Sequence, residues 1–241
     1  QDYCTTFVFI QANMGQCPID DDPLLAGTIS TESDETVKDV EVHLNTNVGI
    51  NDMMKTDEPG EYFFNVPAGI DLTLTPIKDI NYLNGVTTYD LVLMSKHILG
   101  VTPLDSPYKM IAADANKSNS VTTFDIVLLR KLILFMDTEL ANNTSWRFIP
   151  TEFEFENPQN PFSEAFPEVI NINNFNGVDD ADFIGIKIGD VNGSVDPLEL
   201  TQSEDRTFIE TLNFRTEEKE MKAGEMYQID FTSDNFEAVG Y

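Results

Sequence analysis

The chain has 241 residues, 41% of them hydrophobic, enough to build real cores and more than one domain. Its 42 acidic and 14 basic side chains leave a formal charge of -28, which excludes nucleic acid and anionic membrane surfaces as partners, because both demand a cationic face. A chain this acidic repels itself unless cations neutralise part of the charge, so a divalent metal is an expected partner. No apolar run approaches the roughly 20 residues that span a membrane, and no membrane insertion is expected.

In chain order, the two cysteines come first. Cys4 and Cys17 flank the strand-like run 6–10 and read as a local disulfide, with two free buried thiols as the alternative. A disulfide implies an oxidising, extracellular setting, secreted or on a cell surface. Residues 1–18 are too few to fold alone and read as the end of a preceding β domain.

After the acidic run at 20–22 the pattern is purely β, with strands expected at 25–29, 37–44, 62–66 and 72–77. Alternation of Val40, Val42 and Leu44 with Glu41, His43 and Asn45 gives one buried and one wet face, and residues 19–77 read as a small β-sandwich. Residues 78–196 change character. Helices are expected at 90–99 and 125–136, separated by a connector at 100–113 that carries Pro103 and Pro107. An aromatic insertion follows at 146–166, then a third acidic loop at 189–196. Residues 197–206 read as a linker, and 207–241 hold two further strand patterns, 208–214 and 226–231.

A near-repeat marks both helix starts. Asn84-Gly85-Val86-Thr87-Thr88-Tyr89-Asp90 returns 35 residues later as Asn119-Ser120-Val121-Thr122-Thr123-Phe124-Asp125. Calcium takes six to eight oxygens, and a 12-residue loop supplies them from positions 1, 3, 5, 7, 9 and 12, the last at the start of a helix. The second copy fits this register with Asp114, Asn116, Ser118, the Ser120 carbonyl, Thr122 and Asp125. In the first copy Asp79, Asn81 and Asp90 occupy positions 1, 3 and 12, but position 5 is Leu83, which cannot ligate. Asp190-Val191-Asn192-Gly193-Ser194 repeats the opening D-x-N-x-S with no helix after it. Asp190 and Asn192 are therefore expected to fold back onto the first helix and complete its site with Asp90. Few carboxylates per loop place both sites in the weak, structural range of about 10⁻⁴ to 10⁻³ M.

These loops, with the helix sequences Asp125-Ile126-Val127-Leu128-Leu129-Arg130-Lys131-Leu132 and Asp90-Leu91-Val92-Leu93-Met94-Ser95-Lys96-His97, resemble the dockerin type I module over residues 79–136. The run Lys55-Thr56-Asp57-Glu58-Pro59-Gly60-Glu61-Tyr62-Phe63-Phe64-Asn65-Val66-Pro67-Ala68-Gly69, followed by Leu72-Thr73-Leu74-Thr75, resembles Cna-B and carboxypeptidase-regulatory modules. The tail, from Lys222-Ala223-Gly224-Glu225-Met226 to Tyr241, resembles the first strands of a cohesin-like domain. The resemblances imply a multidomain chain: a prealbumin-like β-sandwich, a helical calcium-loop module and a partial β-sandwich.

His43 and His97 fall in no triad or zinc spacing, and carboxylate pairs in so acidic a chain arise by chance, so no catalysis is expected. The expected function is a calcium-stabilised structural or adhesive segment of an extracellular bacterial surface protein. Its partners would be neighbouring domains or subunits of the same protein, with self-assembly or a cohesin-like domain among them. The alternatives are a dockerin that binds a cohesin in trans, or the accessory region of a secreted carbohydrate-active enzyme.

Overall fold

Strand β1 (Leu24–Ser30) buries Leu25 and Ile29 and turns Thr28 outward, as period-2 alternation requires. The same alternation sets β2 (Glu41–Thr46), β4 (Glu61–Asn65) and β5 (Leu72–Ile77), which bury Val42 and Leu44, Tyr62 and Phe64, and Leu72 and Leu74. Strand β3 (Asn51–Lys55), not foreseen from the sequence, has no buried residue and pairs with β2 as an edge. The structure, a computed structural model, describes residues 23–177, 180–198, 214–215 and 232–233. Cys4, Cys17 and the rest of the 1–18 segment lie outside the described residues.

Three helices follow. In α1 (Thr88–Ile98) and α3 (Thr123–Ile133) the N-cap is Thr87 or Thr122, and Asp90 or Asp125 closes a capping box. Helix α2 (Pro107–Ala113) occupies the expected connector, with Ser106 as N-cap and Pro107 at the first helical position. A proline there costs nothing, since that N–H has no intrahelical partner.

The aromatic insertion supplies strand β6 (Trp146–Pro150), and β7 (Ile170–Ile172) and β8 (Phe183–Lys187) follow it. One sheet runs β4-β1-β8-β6 and is mixed, because β8 lies parallel to β1 and antiparallel to β6. The other runs β3-β2-β5-β7 and is antiparallel throughout. The fold is β-rich with few helices. Strands from 146–187 thus complete both sheets begun within 23–77, and the expected boundary at 77/78 falls inside the sandwich.

Strands β6 and β8 are buried on both faces. Trp146, Phe148 and Phe183 point into the sandwich core with Leu25, Val42 and Leu74. Ile149, Ile186 and Ile188 point the other way, into a second core with Met94, Ile111 and Leu129 of the helices. Phe153, Phe155, Phe166 and Tyr108 form edge-to-face pairs that flank this second core, with centroids 5.1–5.8 Å apart.

One glycine is indispensable to this arrangement. A Cβ on Gly27 would lie 2.2 Å from the Ala181 carbonyl oxygen and 2.7 Å from its carbon. Tyr62 donates a short hydrogen bond to the same carbonyl. The obstacle is backbone and cannot rotate away, so Gly27→Ala is expected to destabilise the protein by roughly 3 kcal/mol. Urea denaturation checks this through a lowered midpoint at unchanged slope.

Residues Gln1–Ser203 and Glu204–Tyr241 form two compact units. In the second, β9 (Phe214–Arg215) pairs antiparallel with β10 (Thr232–Ser233); the other residues of the expected cohesin-like strands lie outside the described residues.

No helix among the described residues is long and apolar enough to cross a membrane.

Candidate metal centre

The second repeat folds as one continuous loop between α2 and α3. Asp114 and Asp125 are completely buried. Asp114 Oδ1 accepts from the Ser118 amide at 2.9 Å and Oδ2 from the Asn119 amide at 2.8 Å. Asp125 Oδ1 accepts from the Asn116 amide at 3.2 Å, while Oδ2 takes the Thr122 amide at 2.8 Å and its hydroxyl at 2.9 Å. The Ser118 hydroxyl stands 3.4 Å from both Asp114 Oδ1 and the Ser120 carbonyl. Lys117 and Asn119 adopt positive φ of 56° and 61°. Asparagine tolerates this left-handed region better than most residues.

The first helix has the same surroundings by a different route. Asp90 Oδ1 accepts from the Val191 amide at 2.9 Å and the Asn192 amide at 3.2 Å, and Oδ2 takes the Thr87 amide and hydroxyl at 2.8 Å. Asp190 Oδ1 accepts from the Ser194 amide at 3.2 Å and Oδ2 from the Val195 amide at 2.8 Å. The Ser194 hydroxyl donates to the Gly85 carbonyl at 3.0 Å. Asp190, Asn192 and Ser194 therefore correspond to Asp114, Asn116 and Ser118. Gly85, Thr87 and Asp90 correspond to Ser120, Thr122 and Asp125. The loop is circularly permuted: its opening comes from the C-terminal side of β8 and its close from the N-terminal side of α1.

Asp79, the expected position 1 of the first loop, accepts a hydrogen bond from outside it, and Asn81, the expected position 3, lies in a backbone turn. Asp79 Oδ1 accepts from the Ser145 amide at 2.7 Å, and the Asp79 carboxylate helps to hold the Tyr82 hydroxyl protonated. Asn81 sits at φ 51° in a turn closed by the Asn84 amide. Ser194 takes position 5, which Leu83 leaves unfilled, and the Gly85 carbonyl stands at position 7. The signals for both lie in the sequence: the near-repeat sets Gly85 opposite Ser120, and the D-x-N-x-S spacing at 190–194 ends on Ser194.

The electrostatics of the two loops match. Burial pushes the Asp114 carboxyl above the ordinary carboxylate range and the Asp125 charge adds to this, while the Ser118 and Asn119 amides oppose it. Burial likewise raises Asp190, with a further push from Asp90 against the Val195 and Ser194 amides. Each loop thus pairs two buried carboxylates with a side-chain amide oxygen, a hydroxyl and a backbone carbonyl, an all-oxygen donor set suited to a hard cation such as calcium. Comparison of the chain with protein-family models, with curated proteins and with solved structures returns no match.

Proposed function

We propose that this chain is a calcium-stabilised structural or adhesive segment of an extracellular multidomain surface protein, and that it is not an enzyme. One observation carries the reading: two chain segments of different connectivity arrive at the same oxygen-donor arrangement at the starts of α1 and α3. Calcium would bind Asp114, Asn116, Ser118, the Ser120 carbonyl and Asp125 at one loop, and Asp190, Asn192, Ser194, the Gly85 carbonyl and Asp90 at the other. Thr122 and Thr87 stand at position 9 of each. The ion offsets the repulsion between buried carboxylates and stiffens the loop at the start of each helix. An extracellular setting supplies calcium at the concentrations such sites need.

A second reading, docking of a cohesin-like partner in trans, is favoured by one feature of the helices. Tyr89 and Val92 on α1 with Leu99 at its C-cap, and the equivalent Phe124 and Val127 on α3 with Leu134 at its C-cap, are exposed, whereas Leu91, Met94, Ile126 and Leu129 are buried.

Thermal unfolding with and without a chelator tests the calcium reading. At ten to a hundred times the dissociation constant, each site stabilises by about 1.4–2.7 kcal/mol, which raises Tm by roughly 3–10 °C. The increment is expected to grow with pH. Because Asp114 and Asp190 are raised in the folded state, the metal-free native chain holds protons more tightly than the unfolded one. Its stability from these groups is greatest below the ordinary carboxylate pKa of about 4 and is lost as pH rises through the raised values. Calcium removes that loss. An unchanged Tm on chelation at pH 7 would overturn the reading.

A further inference from the structure

We infer that the permuted site is a calcium-closed clasp joining segments a hundred residues apart, and that it governs the calcium dependence of the whole sandwich-and-helix unit. The contiguous loop acts only locally. The inference rests on the calcium reading above and concerns what the second site does.

The donors of the contiguous loop lie within one short run already bounded by α2 and α3, so an ion there orders a segment whose ends are fixed. The other donor set is divided between 85–90 and 190–195, and the Asp90-to-Val191 hydrogen bond spans 101 residues. The gap falls between loop positions 6 and 7, occupied by Val195 and Gly85. Where a continuous loop has a peptide bond, this one has a side-chain bridge. The Asn84 side chain accepts from the Asp196 amide at 3.1 Å and donates to the Asp196 carbonyl at 2.8 Å. Gly85, at φ 76°, lets the halves meet: a Cβ there would lie 2.6 Å from Val195 Cα and 2.9 Å from Asp190 Oδ2.

The C-terminal half of the clasp leaves β8 directly. Strand β8 is joined to β1 through Ile29 opposite Phe183 and Ser30 opposite Ile184, a short pairing for a strand that separates two cores. The Gly189 amide donates to the Ala112 carbonyl of α2 at 2.8 Å, so the clasp also fixes the strand to the helices. Without a cation the like charges of Asp90 and Asp190 act across the joint and push its halves apart. A bound calcium reverses that force, pulling the start of α1 and the end of β8 together.

Hydrogen exchange of the full chain, followed by mass spectrometry across a calcium titration, tests the clasp. Residues 85–90 and 190–195 are expected to gain protection at one shared calcium midpoint, together with 183–187. Asp114→Asn should abolish the calcium response of 114–125 and leave the clasp response intact. Asp190→Asn should abolish the response of both clasp segments. Should that variant fail to fold, Ser194→Ala is expected to shift their shared midpoint roughly tenfold to higher calcium. Asp79→Asn should leave the midpoint in place. Different midpoints for the two segments, or a midpoint that moves with Asp79→Asn, would overturn the clasp. Protection confined to 114–125 would overturn it while leaving the calcium reading standing. No calcium response in any segment would overturn both.

Discussion

A fragment of residues 19–77 is expected to give no cooperative unfolding transition, whereas residues 19–203 fold. Without the later strands, β1 and β4 are a two-stranded ribbon, and such a pair is marginal in water. The sandwich core also loses Trp146, Phe148, Phe175 and Phe183. Burying a large apolar side chain contributes about 1.5–3 kcal/mol. Four such losses are comparable with the roughly 5–15 kcal/mol that hold a whole domain folded. The exposed side of β1, which pairs with β8 in the intact chain, would in addition offer an unpaired edge for aggregation. Circular dichroism and a urea titration decide the matter: a sigmoidal transition in the 19–77 fragment would show that the sandwich is self-sufficient.

Asp90→Ala is expected to cost roughly 3–5 kcal/mol and to lower the calcium stoichiometry by one. The side chain accepts from the Thr87 amide and hydroxyl and from the Val191 and Asn192 amides. Truncation removes the capping box of α1 and leaves the buried Val191 donor without its acceptor, and an unsatisfied buried donor costs about 1–3 kcal/mol. Relief of repulsion with Asp190 offsets only part of this. Tyr89→Ala, one residue away and largely exposed, should stay within about 0.5 kcal/mol. Chemical denaturation in excess calcium and isothermal titration separate the two effects. Full stability of Asp90→Ala, or an undiminished calcium count, would remove Asp90 from its assigned place.

How much was legible from residues alone varied with the range of the interactions concerned. Capping boxes and the Asp114–Asp125 loop are written within a few consecutive residues, so Thr122, Asp125 and the donor spacing could be read directly. Period-2 alternation likewise announced β1, β2, β4 and β5. Strand β3 escaped because it is an edge with no buried face, and alternation appears only where one face is buried. Helix α2 escaped because Pro107 reads as a breaker unless Ser106 is recognised as the cap that makes it a start. Strands β6 and β8 are buried on both faces, so they show no alternation, and aromatic residues that looked like an insertion are part of two cores.

The permuted site divides along the same line. The sequence by itself determined the donor types, their spacing within each segment and the deficiency at Leu83, because those depend on side-chain chemistry and on steps of two residues along a loop. It also pointed to 190–194 as the missing part. Only the tertiary structure decided that Asp79 takes the Ser145 amide, that Gly85 and Ser194 meet, and that the sandwich and the helices share β6 and β8. These are pairings between residues far apart in the chain. Packing selects them by burying β8 between two cores, and no local pattern encodes which distant partner that burial brings.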